Sequence, residues 1–221
     1  MSNNKQYLET LPFWNDLSKE EKENILSFSI VQSYKKGSFI HTQEDTCLGL
    51  IYVLEGDIRV YMVSEEGKEI TLYHIKENEV DVLSASCVVN QITFDTELIA
   101  KEDSTLLIIP VTILSPLKDS NIHVRSYIYE VLAERFSDVM WTLQQVLFLK
   151  MDQRIATYLL DVSNTSNSLS IHTTHEEIAQ EINSAREVVT RVMKHLQDDG
   201  LVEMKRGVIT ILDKKRLLQY L

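Results

Sequence analysis

The sequence predicts an α+β chain: a small antiparallel β domain, one long helix, and a C-terminal helix–turn–helix with a two-stranded wing. Three observations carry this. From Ser33 to about Pro110, short apolar-alternating segments are separated by turn residues and punctuated by Gly37, Gly56 and Gly67, the pattern of a barrel or jelly roll. From about Asn121 to Met151 there is no Gly or Pro, and apolar residues recur at steps of mostly three and four, a helical period. From Thr173 to Leu212, cap signatures, an asparagine turn and a hairpin pattern follow one another, which is the order of a winged helix–turn–helix.

Taken in order, residues from about 7 to 30 read as helical, with Leu11, Leu17, Ile25 and Leu26 at helical intervals and Ser18 before Glu21 as a capping box. The strand candidates are GSFIHTQ, LGLIYVLEG, DIRVYMVSEEG, KEITLYHI, ITFDTELIA and STLLIIP. Periodicity alone stops at a small antiparallel β domain. The long helix carries Val124, Ile128, Leu132, Phe136, Val139, Leu143, Val146 and Leu147, and at roughly thirty residues it reaches about 45 Å. An apolar stripe of that length packs either on its own β domain or against a second copy. The second reading is favoured, with Ile128, Leu132, Phe136, Val139 and Leu143 as the seam. Met151 to Val162 reads as a connecting helix.

Thr173 and Thr174 precede Glu176 and Glu177 at capping-box spacing, so a helix begins there. Asn183 tolerates the left-handed turn conformation. Ser184 and Glu187 form a second capping-box spacing, and Gly200 ends the second helix. On a helical wheel with Arg186 at zero, Thr190, Lys194, Glu187 and Arg191 fall at about 40°, 80°, 100° and 140°. Val188, Val192, Leu196, Val189 and Met193 occupy about 200° to 340°. One face is long and hydrogen-bonding, the other a packing stripe, as a helix seated in a DNA major groove requires. Arginine grips guanine through two acceptors and a carboxylate accepts from the cytosine amino group. Arg186 and Arg191 are therefore the guanine candidates and Glu187 the cytosine candidate. Thr190, Lys194, Ser184 and Thr174 complete the candidate DNA-binding set.

Of 221 residues, 25% are charged and 44% apolar, with a net charge of −11. These are ordinary soluble-protein values, and the charge argues against indiscriminate nucleic-acid binding. It is unevenly spread: residues 171–221 hold 8 Lys and Arg against 8 Asp and Glu, leaving 14 against 25 in the first 170. DNA affinity should then fall steeply with salt. MSNNKQYLET is polar, and the most apolar run, TLLIIPVTIL, is short and holds Pro110. The expectation is a cytoplasmic chain without membrane spans. Cys47 and Cys87 make neither a disulfide framework nor a cluster spacing.

These residues resemble the catabolite activator/fumarate–nitrate regulator (Crp/Fnr) family of bacterial transcription factors. The A-R-E-V-V-T-R run is similar to the activator branch, in which Arg, Glu and Arg read a GTGA-type half-site. EEGKEITLYHIKENEV resembles the strand–turn–strand of that family's sensor barrel, and the likeness covers nearly the whole chain. Where the family usually has Gly in the helix–helix turn, this chain has Asn183. The resemblance implies a cyclic-nucleotide-binding-type β jelly-roll over residues 1–118, a dimerisation helix over 119–150, and a winged helix–turn–helix over 151–221. It also implies a homodimer, double-stranded DNA and RNA polymerase as partners, and an effector in the barrel that biases the long helices.

In the cyclic-AMP-binding relatives a glutamate takes the ribose hydroxyl and an arginine the cyclic phosphate. Aligning DVLSASCVVNQITFDTELIA places Ser84 and Phe94 at those positions, and a buried phosphate without a cation is poorly compensated. The expected pocket, Val82, Ser84, Cys87 and Phe94, is more apolar and suits a small hydrophobic effector, or none. The ligating histidine of the haem-binding branch falls at Ser84, leaving His74 and Cys87 as substitutes; His74 reads as an ordinary strand residue and Cys87 as a small buried one. The iron–sulfur branch needs four cysteines, and the chain has two. His172 and His175 read as residues at a helix start rather than a metal pair. No nucleophile–base pair or phosphate-cradling glycine loop points to catalysis. The competing reading is a sensing module whose winged domain binds protein rather than DNA.

Overall fold

A computed structural model describes residues 4–42, 48–82 and 95–221. The chain divides into two compact units, residues 1–68 with 72–140, and residues 141–221 with 69–71.

The first unit opens with α1 (Asn4–Leu8), a 3-10 turn at Trp14–Asp16, and α2 (Lys19–Phe28). The continuous helical reading from 7 to 30 is therefore corrected. Pro12 lacks a backbone donor and disfavours helix at the preceding residue, so a new helix starts only at Ser18. There the capping box forms: Glu21 N–H donates to Ser18 Oγ at 3.2 Å and Ser18 N–H to Glu21 Oε2 at 2.6 Å.

Among the described residues eight strands follow: β1 (Ile30–Tyr34), β2 (Phe39–His41), β3 (Gly49–Glu55), β4 (Asp57–Val63), β5 (Glu69–Lys76), β6 (Val80–Asp81), β7 (Glu97–Ala100) and β8 (Ser104–Pro110). They form two four-stranded sheets, β1-β8-β3-β6 and β2-β7-β4-β5, with antiparallel pairings such as Ile51↔Ile108 and Val60↔Leu98. The period-two pattern sorts the central strands into two cores. Ile51, Val53, Leu106 and Ile108 face the interior of the sandwich with Ile58, Val60, Ile75 and Leu98. Leu50, Tyr52, Leu107 and Ile109 face helices. Gly49 is forced by the close β3–β8 approach: at φ +110° a Cβ there would lie 2.2 Å from the Ile109 carbonyl oxygen.

The helical cover consists of α3 (Val111–Ser120), which holds Pro116 and was not legible as a helix, and α4 (Ile122–Phe148). Asn121 starts α4, its Oδ1 accepting from His123 N–H at 3.0 Å and Val124 N–H at 3.4 Å. Val124, Ile128 and Val131 pack with Leu8, Phe13, Leu50 and Leu107. This corrects one expected seam residue: Ile128 is fully buried within this chain and has no surface to offer a partner.

In the second unit, helix does not continue through Met151. It stops at Phe148 and α5 (Met151–Ser166) begins after a break. Then come β9 (Ser170–His172), α6 (His175–Glu181), α7 (Arg186–Asp198), β10 (Val202–Lys205), β11 (Val208–Ile211) and α8 (Lys214–Leu217). The wing is three-stranded, β10-β11-β9, with Ile209↔Ile171 extending the expected hairpin. Ile155, Leu159, Ile178, Val189, Met193, Leu196, Ile209 and Ile211 form its core. Among the described residues no helix is long and apolar enough to cross a membrane.

Candidate nucleic-acid interface

The interface is built on α7, which its neighbours hold by one face. Val189, Met193 and Leu196 are buried, while Arg186, Glu187, Thr190, Arg191 and Lys194 are exposed. The turn before it is fixed by backbone geometry. Asn183 adopts φ +55°, Ser184 N–H donates to Ala179 O at 2.8 Å, and Asn183 N–H to Gln180 O at 3.3 Å. This is a Schellman turn in which asparagine takes the place glycine usually holds. Arg154, a residue that sequence patterns did not single out, braces the turn from α5. It is buried, and its Nη2 donates to the carbonyls of Ile182 and Asn183. Burial pulls the Arg154 pKa below its ordinary value. At the far end of α7, Gly200 (φ +70°) closes a second Schellman turn: Leu201 N–H donates to Leu196 O and Gly200 N–H to Gln197 O, both at 2.9 Å.

The first helix starts as its sequence predicts. Thr174 caps α6, with Glu177 N–H donating to Thr174 Oγ1 at 3.2 Å and Thr174 N–H donating back to Glu177 Oε2 at 2.8 Å. The second capping box does not form. Residue 185, an alanine, occupies the N-cap of α7, so Ser184 lies one position too early and Glu187 is not drawn into capping.

Arg186 Nε lies 3.9 Å from Glu176 Oε2, with both side chains more than half exposed, a contact too weak to hold the guanidinium away from a ligand. His175 Nδ1 is 3.0 Å from Thr190 Oγ1. Lys205, Arg206 and Gly207 of the β10–β11 turn line one groove with Thr173, Thr174, His175, Glu176 and Arg186. Thr173 N–H donates to Gly207 O at 3.2 Å, pinning the wing tip beside the start of α6. The side-chain periodicity of α7 was legible; the placement of His175, Lys205 and Arg206 in the same groove was not.

In the first unit, Val82 is fully buried, whereas Ser84, Cys87 and Phe94 lie outside the described residues, as does Cys47. His74, on β5, lies with Nδ1 2.6 Å from Asp57 Oδ1. Among the described residues no group of three His, Cys, Asp or Glu is placed to hold a metal ion. A feature unseen in the sequence lies between β6 and α4. Arg135, 6% exposed, donates from Nη1 to Asp138 Oδ2 at 2.9 Å and from Nη2 to Val80 O at 2.9 Å, and its Nε sits 3.6 Å from the fully buried Asp81. Of the other residues expected in a seam, Leu132 and Val139 pack partly against the barrel core, while Phe136 (64%) and Leu143 (44%) are exposed.

Residues 31–121 match the family model of the cyclic nucleotide-binding domain, and residues 153–220 that of the Crp-like helix-turn-helix domain. The crystal structure of a transcriptional regulator of the Crp/Fnr family from Eubacterium rectale is 40% identical to this chain. It covers 95% of this chain and 97% of its own length, with a TM-score of 0.89. The cyclic AMP receptor protein of Thermus thermophilus is 27% identical over 211 residues, 90% of this chain and 92% of that protein. The transcriptional activator protein FnrA of Stutzerimonas stutzeri is 25% identical over 187 residues, 81% of this chain and 75% of that protein.

Proposed function

Because the chain belongs to the Crp/Fnr family of transcription regulators, we propose that it acts as a homodimer that reads a palindrome of GTGA-like half-sites in double-stranded DNA. The carrying observation is the exposed face of α7, on which Arg186, Glu187, Thr190, Arg191 and Lys194 stand clear of the core that grips the opposite face. Arg186 and Arg191 grip guanine, and Glu187, relieved of capping, accepts from cytosine. Thr190, Lys194, Ser184 and Thr174 lie alongside as further DNA contacts.

The dimer seam runs along α4. Ile122 (62% exposed), Tyr129 (49%), Phe136 (64%) and Leu143 (44%) stand seven residues apart, flanked by Met140 and Leu147. A heptad of exposed apolar side chains is what a partner helix covers, and a two-fold dimer sets two reading helices against two half-sites. The functional division is a sensor over 1–118, a dimerisation helix over 119–150 and a DNA-binding domain over 151–221.

We propose an effector other than cyclic AMP bound in the usual manner, since alignment with the cyclic-AMP-binding relatives sets Ser84 and Phe94 of this sequence against their ribose and phosphate partners. An effector biases the dimer only as far as it prefers the DNA-competent state. The protein works in the cytoplasm, with RNA polymerase as its further partner.

The test is binding of a GTGA-type palindromic duplex by the intact protein. Arg186→Ala should weaken it by about 1–3 kcal/mol and relax preference at one base pair per half-site. Equal binding by variant and wild type would favour a winged domain that docks on protein instead.

A further inference from the structure

We infer that His175 is a proton-linked phosphate contact, so that DNA binding takes up a proton in the groove between α6, α7 and the wing. This rests on the DNA-binding reading above and assigns its chemistry to one further residue.

His175 is half-buried, and its Nδ1 is committed to Thr190 Oγ1 at 3.0 Å. Its charged neighbours come from three elements. Glu176 lies on α6, Arg186 on α7, and Lys205 and Arg206 on the wing turn, all lining the same groove. Glu177 is engaged elsewhere, by Thr174. Glu176 is within 3.9 Å of Arg186 and Lys205 within 3.1 Å of Glu203, so the free protein partly neutralises its own cations. Burial, and then Arg186, hold the His175 pKa below its ordinary 6.5. Free His175 is therefore neutral at pH 7.

A phosphodiester entering this groove reverses the balance, because a negative oxygen favours the imidazolium. The proton changes the hydrogen bonding as well. In neutral His175 with the proton on Nε2, Nδ1 accepts from the Thr190 hydroxyl. In the imidazolium both nitrogens donate: Nδ1–H turns to Thr190 Oγ1, while Nε2–H, a donor in both forms, now meets the phosphate with a positive charge behind it. The Thr190 hydroxyl hydrogen is then released towards the DNA. Protonation thus frees a donor on α7 itself.

The bound pKa lies above the free one, so affinity is unaffected above the bound value, rises as pH falls between the two, and levels off below the free value. The experiment measures duplex binding by the full chain between pH 8 and 6 at fixed ionic strength, on a GTGA palindrome and on a random-sequence duplex. Isothermal titration in buffers of different ionisation enthalpy then counts protons. Wild type should gain about three- to tenfold in affinity per protomer on acidification, with proton uptake of up to about one per protomer. Both duplexes should show it, since phosphate is common to them. His175→Gln should flatten the profile and abolish the uptake while keeping the wild-type melting temperature. A wild type that binds without proton uptake, or a variant with an unchanged profile, overturns the linkage and leaves the DNA reading intact. Failure to bind any duplex at any pH overturns both.

Discussion

Arg135 sets the problem of a buried charge in its sharpest form here. Burial lowers its pKa, but Asp81, Asp138 and Glu79 together outweigh this and hold the guanidinium above its ordinary value. Its Nη2 reaches Glu79 Oε2 at 3.3 Å in addition to the Val80 carbonyl, and Tyr73 O–H donates to Asp81 Oδ1 at 3.0 Å. Burial and the Asp81 carboxylate in turn push the Tyr73 pKa well above its ordinary value. A buried ion pair contributes little against a well-packed apolar substitute, but removing one partner strands the other. Arg135→Met should therefore cost about 3–5 kcal/mol in urea unfolding, and adding Asp81→Asn should return part of it. Additive losses in the double variant would show that the two groups are not coupled. None of this network was legible in sequence. Arg135 stands among apolar positions in a helix and reads as a solvated charge; only the approach of β6 reveals its partners. Arg186 was legible because the helical period alone decides its face.

At the scale of elements, α4 carries two apolar stripes that the sequence runs together. Steps of three and four allow either face, so Ile128 and Phe136 looked equivalent although one is fully buried and the other 64% exposed. The distinction depends on which residues the barrel covers, and the covering residues, Leu8 and Phe13 among them, lie over a hundred positions upstream. The two positions should respond differently to the same change. Phe136→Glu should halve the mass measured by light scattering while leaving the far-ultraviolet circular dichroism of the protein intact. Ile128→Glu buries a carboxylate without a partner and should abolish folding. A dimeric Phe136→Glu protein would remove α4 as the seam. The α7 cap depends on its surroundings in the same way. The S-A-R-E spacing is genuine, but helix begins one residue later than it implies, because the Schellman turn at Asn183 carries the chain through Ser184 before α7 can start.

For the molecule as a whole, the governing quantity is the distribution of charge. The net −11 resides entirely in the first 170 residues, and residues 171–221 are neutral overall. This much was readable from composition; what was not readable is that cations of that neutral stretch collect around one groove. Arg186, Lys205 and Arg206 line it, while Lys214 is engaged by Asn164 at 2.6 Å on another part of the unit. On the proposed DNA-binding function, local rather than net charge would govern affinity, and the acidic remainder would suppress adhesion to arbitrary sequence. Each phosphate neutralised releases counterion, so the logarithm of affinity should fall linearly with the logarithm of salt concentration at about 0.9 per contact. Lys205→Ala removes one such contact per protomer and should reduce the steepness by about 2 for a dimer, while preference for GTGA over scrambled half-sites stays unchanged. Arg186→Ala should do the converse, losing preference as well as affinity. Fluorescence anisotropy from roughly 50 to 300 mM KCl separates the two, a range over which phosphate-dominated binding changes by orders of magnitude. An unaltered salt slope for Lys205→Ala would place the wing away from the phosphate backbone, and α7 would then have to supply the electrostatic attraction unaided.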